Sequence, residues 1–458
     1  MSEVSNTKMH EAFLKSDRRH ILMITNHGIH QWGVIPGLPD TGGQNIYVNQ
    51  LTEVLAQFGF KVTIANRGGY PHPVTGEMRR GIHYKDENQR ILFLEDGIGE
   101  FIRKEDMNPH TLKLAECLKE YLDEEGLSVE LMISHYWDAA KVGVLLNRRL
   151  SERVIHVWVP HSLGKIKKRN MPPDSREDLR IDERIETEKE LMQELDFTAA
   201  TSATIRRSLS EEYGHKNILF LPPCIQVERY YPRNIEQDHE IWSFLSRNTG
   251  LSREEIQKCK IVTEISRTDA TKRKDILIKA FSEVRKKHKD VILIVSIDQT
   301  EEELSGNLLN LIKELGQESH IAVIGYEWER LPLIYAVTSI YCSPSVMEGF
   351  GMAVQEAAAT AVPVVGSHLI PFVSEYLLGE NVREAYCDEM ETEPLKVGEG
   401  AIMVQADDIN GFKEALLMLL EDEQLRKEMG NRAYKITVPY FTWKEMVKRL
   451  FNEIGITI

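Results

Sequence analysis

The chain has 458 residues, 42% of them apolar and 28% charged, a globular composition with length for two or three domains that each bury a core. Its formal charge of −15 argues against nucleic acid or an anionic membrane as the main partner. The five cysteines, Cys117, Cys224, Cys259, Cys342 and Cys387, form no CxxC pair or His/Cys ligand spacing, which argues against a disulfide framework or a structural zinc.

The first twenty residues are polar and lack a signal core, and no run approaches the roughly 20 apolar residues that span a bilayer. The reading predicts a cytoplasmic protein without membrane insertion. Residues 1–19 are expected to form an N-terminal tail. From residue 20, short apolar runs predict strands over 21–24, 61–65, 91–94, 131–134, 154–159 and 197–200. Apolar spacing of three to four predicts helices over 46–58, 109–124, 139–148 and 182–195. Pro222-Pro223 and Tyr231-Pro232 interrupt the pattern. It restarts with strands over 261–265, 291–295, 321–324, 340–342 and 362–365, and helices over 276–287, 305–315, 331–337 and 353–360. An amphipathic helix over 441–453 closes the chain. Such alternation predicts two α/β domains, 20–232 and 233–440, each a Rossmann-like, doubly wound parallel sheet, facing each other across a cleft.

In open α/β sheets ligands lie at the carboxyl ends of strands, so the loops after strands carry the candidates. Asp40-Thr41-Gly42-Gly43-Gln44 opens the first helix, where glycines admit close backbone approach and the helix start favours an anion. A tight turn with a helix cap fits the same residues. His135 and Asp138 follow one strand and His161 the next. A histidine there can donate to a sugar hydroxyl or carry a proton, although a lone histidine is more often structural. Lys165, Lys167, Lys168, Arg169, Arg180 and Arg184 suit a phosphorylated acceptor or a solvated charged face.

In the second domain, Arg267 and Lys272 share one loop and suit a diphosphate, the guanidinium gripping two oxygens and the ammonium acting as a point charge. Arg273 and Lys274 prolong that run, so a solvated basic loop is the other reading. Glu348-Gly349-Phe350-Gly351, followed by Glu356, places two acids around a glycine turn at a helix start with unpaired N–H groups. Glu348 then faces sugar hydroxyls, and Glu356 a ribose.

In this order the motifs resemble the GT-B glycosyltransferases, and within them the retaining family 4 that includes sucrose-phosphate synthase. The resemblance runs from about residue 20 to 455 through Asp-Thr-Gly-Gly-Gln (40–44), Ser-His-Tyr-Trp-Asp (134–138), His-Ser-Leu-Gly (161–164), Arg184-Ile185 with Glu188, Arg267 with Lys272, and Glu348 with Glu356. It implies transfer of a hexose from a nucleoside-diphosphate sugar to a small, phosphorylated acceptor, UDP-glucose to fructose 6-phosphate being the leading pair. The alternative donor is GDP-mannose, giving mannosylfructose phosphate or mannosylglucosyl-phosphoglycerate. It further implies that Arg267 and Lys272 neutralise the leaving diphosphate, with Gly42 and Gly43 on the donor side. Glu348 and the amides of Gly349, Phe350 and Gly351 hold the sugar, Glu356 the ribose, and His161 the sugar near its C6 hydroxyl. Gln44, Lys104, His135, Asp138, Lys165 and Arg184 fall to the acceptor. Residues 441–458 match the segment that crosses back onto the first domain. No metal is required, a divalent ion being at most stimulatory.

Three departures stand out: Cys224 where glycine is usual, Arg273 where glycine or asparagine is common, and Ser367-His368-Leu369-Ile370-Pro371 in place of Gly-Gly-Pro. An epimerase or phosphorylase of the same fold, and a sugar-binding protein without catalysis, are the readings of other classes.

Overall fold

A computed structural model describes residues 3–35, 38–170, 178–298, 302–325, 327–386 and 393–458. The chain divides into two units, one of Met1–Pro222 with Met446–Ile458, the other Pro223–Glu445. The sequence division at 232/233 falls downstream of this crossing. Ile225 already bridges to Thr442 and Tyr230 packs edge-on against Tyr335, so both belong to the second unit. The closing helix is Trp443–Ile454, and its residues from Met446 belong to the first unit, where Phe451 packs edge-on against Phe60.

The first unit holds an eight-stranded sheet of β1 (His20–Ile24), β2 (Lys61–Arg67), β3 (Gly81–Asp86), β4 (Gln89–Leu94), β5 (Leu131–His135), β6 (Ile155–Val159), β7 (Phe197–Ala200) and β8 (Ile218–Phe220), in the order β3-β4-β2-β1-β5-β6-β7-β8. All neighbours are parallel except the β3/β4 hairpin. Strands β1, β2, β4 and β5 are buried throughout, because crossover helices cover both faces of a parallel sheet. Within the expected N-terminal tail, Glu3–Lys15 form a helix. Helix Glu3–Lys15 packs on the hairpin, with Phe13 fully buried under the Arg90 guanidinium, and His10 bonds to Tyr84 Oη at 2.8 Å.

The second unit has the order β11-β10-β9-β12-β13-β16-β15-β14, built from β9 (Lys260–Glu264), β10 (Val291–Ser296), β11 (Ile321–Ile324), β12 (Ile340–Ser343), β13 (Val364–Ser367), β14 (Arg383–Ala385), β15 (Leu395–Val397) and β16 (Ala401–Val404). Only the β14/β15 and β15/β16 pairs are antiparallel. Helices Ile409–Glu421 and Glu423–Thr437 follow.

Both sheets reverse their winding once. Neighbours run outward from β1 through β2 and β4 on one side and from β5 on the other, and likewise from β9 through β10 and from β12. The reversal leaves the loops after β1 and β5, and after β9 and β12, with no crossover to fill the space between them. That is where a doubly wound sheet binds its ligand.

Candidate functional site

In the first unit, the loops after β1, β5 and β6 gather four histidines. His27 bonds through Nδ1 to Asp138 Oδ1 at 3.0 Å, both nearly without exposure. His135 Nδ1 and His161 Nε2 are 3.0 Å apart, the two rings stacked at 5.3 Å. Tyr47 presents its ring edge-on to both, at 4.9 Å from His161 and 5.7 Å from His135. Burial, reinforced by His27, lowers the His161 imidazole to about 3. Burial and the neighbouring histidines push His135 well below the ordinary range. Both rings are therefore neutral near pH 7. His30 completes the set, its Nδ1 meeting Asn45 Nδ2 at 3.1 Å.

The local backbone is strained in keeping with a functional role. His161 has φ +54 at the centre of a three-residue turn closed by Ser162 N–H donating to Pro160 O, 2.6 Å. Tyr136, at φ +76, turns the chain between His135 and the helix Tyr136–Asn147. Gly28, at φ +79, has room for nothing larger, since a Cβ would lie 2.4 Å from Asp40 O. Gly42 differs: its backbone is extended, the space in front of it is open, and its N–H donates to Asn45 Oδ1 at 2.9 Å. Gly43 begins the helix Gly43–Gln57, and Gln44 is held by Thr25 Oγ1 at 3.1 Å.

Beside the histidines lies a small pocket, lined among others by Glu105, Tyr136, Trp137, Lys167, Arg180 and Arg184. Buried Arg184 donates from Nε to Glu188 Oε1 at 2.7 Å, from Nη2 to Ser162 O at 2.6 Å, and from Nη1 to Tyr136 Oη, its Cζ standing 4.3 Å from the centre of that ring. Glu188 has no exposed surface and also accepts from Gly164 N–H and Tyr213 Oη. Lys104 pairs with Asp40 and with Glu105. Burial opposes both charges of the Lys104–Asp40 pair, yet each partner prevails, holding Asp40 below and Lys104 above its usual range. Lys167 donates only to Tyr136 Oη, 3.2 Å, and meets no carboxylate among the described residues.

The structure brings Gly42, Gln44, Lys104, His161 and Arg184 around one set of loops and separates others from it. His135 and Asp138 have no exposed surface, so they stand behind His161 and His27 rather than against an acceptor. Lys165 turns to Glu212 O and the Tyr213 ring, whereas Lys167, one helical face away, lines the pocket. Among the residues sequence reasoning missed are His27, Tyr136 and Ser162. The first follows a strand just as His161 does, which is the signal that marks it.

In the second unit, Lys272 Nζ donates to Glu348 Oε1 at 2.5 Å. The two loops are joined by Val346 N–H and Ser345 Oγ, which both donate to Thr271 O, at 2.8 and 3.3 Å. Arg267, on the same loop as Lys272, is exposed and makes no hydrogen bond or ion pair to a described residue. Lys274 is no solvated cation: it is buried, with Nζ 2.9 Å from Glu264 Oε2, 2.9 Å from Ser266 O and 2.5 Å from Ser296 O, so it fastens the ends of β9 and β10. Arg273, left-handed at φ +51, pairs with Asp275 and Asp407.

Gly351 has φ +106, and a Cβ there would lie 2.6 Å from Ile370 Cγ2; this position requires glycine. It starts the helix Met352–Ala359. The Phe350 side chain packs away from solvent among Phe372, Tyr376 and Phe441, which leaves only its backbone for a ligand. His368, in the departing loop, accepts from Ala406 N–H at 3.1 Å. Glu356 is buried, accepting from Tyr335 Oη at 3.0 Å. Burial pushes its carboxyl up to about 7, against the tyrosine hydroxyls and Arg229.

This Glu356 shift has a testable sign. An acid raised above its unfolded value, about 4.3, leaves the fold binding the extra proton between the two values. Its contribution is then complete below about pH 4 and lost as the pH rises through about 7. Glu356→Gln is expected to unfold at higher urea than the parent at pH 8, by up to about 3 kcal/mol, with the gain much reduced at pH 5. Equal gains at both pH values would count against it.

The comparisons with known proteins bear on both units. The Glycosyltransferase Family 4 model matches residues 41–229, and the Glycosyl transferases group 1 model matches residues 252–436. Mannosylfructose-phosphate synthase of Agrobacterium fabrum is 30% identical over 360 residues, 75% of each chain. The chain belongs to glycosyltransferase family 4. The transferase is also 26% identical to the D-inositol 3-phosphate glycosyltransferase of Corynebacterium jeikeium, over 92% of this chain and 93% of that one. Sucrose-phosphate synthase from Thermosynechococcus elongatus shares its fold with a TM-score of 0.75 at 21% identity, over 96% and 99% of the two chains. The two-domain GT-B fold is thereby established for the transferase. No helix among its described residues is long and apolar enough to cross a membrane.

Proposed function

We propose that the transferase moves a hexose, with retention of configuration, from a nucleoside-diphosphate sugar to a phosphorylated sugar. The observation that carries this reading is the pocket where Lys167 and Arg184 meet the Tyr136 hydroxyl. Burial opposes ionisation of Tyr136, yet Arg184, Lys167 and Lys104 draw its hydroxyl down. A phosphate dianion suits this pocket, and Lys167 meets no carboxylate among the described residues. The relatives support the reading in their names, each of which carries a phosphorylated sugar or polyol.

The donor belongs to the second unit. The acceptor hydroxyl attacks the anomeric carbon as the bond to the diphosphate oxygen breaks, and its proton passes to that departing oxygen on the same face. Negative charge grows on the leaving group, so Lys272, already held by Glu348, and the exposed Arg267 on the same loop stabilise the transition state more than the ground state. Glu348 and the amides of residues 349–351 hold the sugar hydroxyls, and Glu356 the ribose diol. His161 donates to the sugar. Fructose 6-phosphate is the acceptor we infer. The 30% likeness to a mannosylfructose-phosphate synthase favours GDP-mannose as donor, and the His161-Ser162-Leu163-Gly164 motif supports UDP-glucose as a second reading.

A panel of GDP-mannose, UDP-glucose and UDP-N-acetylglucosamine against fructose 6-phosphate, inositol 3-phosphate, 3-phosphoglycerate, fructose and no acceptor, each with and without EDTA, tests this. Turnover is expected with fructose 6-phosphate and not with fructose. Transfer confined to non-phosphorylated acceptors would sink the phosphate pocket, and conversion of UDP-N-acetylglucosamine to its epimer without acceptor would indicate an epimerase.

A further inference from the structure

We propose that His135 is a positioning residue that fixes the tautomer of His161, so that His161 presents its Nδ1–H to the substrate. The inference rests on the reading above that His161 faces the transferred sugar. It adds which nitrogen does so, and why a fully buried histidine stands behind it.

The His135 side chain has no exposed surface. Its Nδ1 lies 3.0 Å from His161 Nε2, and its own Nε2 is buried with no partner among the described residues. The two rings are stacked at 30°, and Tyr47 braces both of them while its own Oη donates to Leu221 O at 2.9 Å. Since both imidazoles are neutral, a single proton lies between Nδ1 and Nε2, and only two arrangements exist.

If His161 donated, the remaining proton of His135 would sit on its Nε2, a buried N–H with nothing to receive it. If His135 donates, its Nε2 carries a lone pair, and the orphan is an acceptor. Buried donors without partners are rarer than under-satisfied acceptors, and leaving one costs about 1–3 kcal/mol. The second arrangement therefore prevails. A neutral imidazole that accepts at Nε2 carries its proton on Nδ1. His161 remains half-buried rather than sealed, and Nδ1 is not among the buried atoms without a partner. Its strained turn, at φ +54, sets the ring direction at the same place where His135 sets the proton.

The direct test is the tautomer. In substrate-free protein with ¹⁵N-labelled histidine, the His161 signals are identified by their loss in His161→Gln, and the protonated nitrogen is read by NMR. Protonation at Nδ1 is expected; protonation at Nε2 overturns the proposal. The second test is kinetic, with the donor and acceptor the panel selects. His135→Leu is expected to lower kcat about 10-fold or more, the scale of losing a partner that orients a functional histidine, with a much smaller change in either KM. His135→Asn keeps a side-chain N–H near the Nδ1 position and is expected to restore most of the rate and the Nδ1–H signature. Folded His135→Leu at parental kcat, alongside an impaired His161→Gln, rejects the positioning role. An unimpaired His161→Gln instead rejects the substrate-facing reading, and with it the functional half of the proposal, whatever the tautomer.

Discussion

Lys272→Ala is expected to lower kcat on the order of 100- to 1,000-fold, the usual cost of removing one preorganised group that meets charge developing in a transition state. The argument is geometric. The Lys272 ammonium is held 2.5 Å from Glu348, and its loop is joined to the Glu348 loop by two hydrogen bonds onto Thr271 O. The cation is thus fixed before any substrate arrives, and little reorganisation is needed as the diphosphate departs. Its loss should fall mainly on kcat and less on the donor KM, because the charge it meets is largest in the transition state. Stability should change little, since Glu348 keeps 22% of its side-chain surface exposed and can hydrate once its partner is gone. Initial rates and a urea titration measure the two quantities. A rate loss below about 10-fold in folded protein would remove Lys272 from the machinery assigned to it.

Arg184→Met is expected to destabilise the first unit by about 3–5 kcal/mol, the range for breaking a buried pair by deleting one partner. Glu188 has no exposed surface, so water cannot replace the guanidinium. Gly164 N–H and Tyr213 Oη still reach its oxygens, and both would then be aimed at an isolated buried charge. Adding Glu188→Gln removes that charge while keeping an oxygen for the two donors, and should recover most of the loss. The double variant separates two roles of Arg184. If it also lines the acceptor pocket, the restored protein will show a raised KM for fructose 6-phosphate with its fold intact. Recovery of both stability and parental KM would confine Arg184 to holding Glu188.

The alternation of strands and helices was legible because parallel strands buried on both faces read as uninterrupted apolar runs, and the eleven predicted strands all rest on such runs. Strand β16, an apolar run of four residues, and the helices Ile409–Glu421 and Glu423–Thr437 were passed over although their pattern was present; the rest of what escaped lacks such runs. Strand β3 has a single buried residue, Tyr84, and lies within a stretch rich in glycine and proline. Strands β14 and β15 have three residues each, too few for a period to show. At the site, Lys272, Glu348 and Glu356 were readable because each belongs to a local motif. His27 carried only the weak signal of following a strand, and Tyr136 none, since their meeting depends on β1 and β5 becoming neighbours across more than a hundred residues. Burial was equally invisible: nothing in the spacing of His135 and Asp138 distinguishes a side chain that touches substrate from one that stands behind it. Lys274 shows the converse, a lysine in a basic run that the fold has taken into its interior.

The hairpin at the edge of the first sheet carries a consequence for handling the molecule. Strand β3 has one hydrogen-bonding neighbour, β4, and an open strand edge is a template for pairing with a second chain. Helix Glu3–Lys15 lies against this hairpin, its Asn6 amide donating to Ile82 O at 3.4 Å and its Phe13 filling the gap beneath Arg90. The amino-terminal helix thus serves as a guard on a border strand. A chain shortened to begin after Lys15 would retain all the residues assigned to donor and acceptor, yet lose its protection against self-association. In this transferase, colloidal behaviour and chemistry reside in separate parts of the sequence.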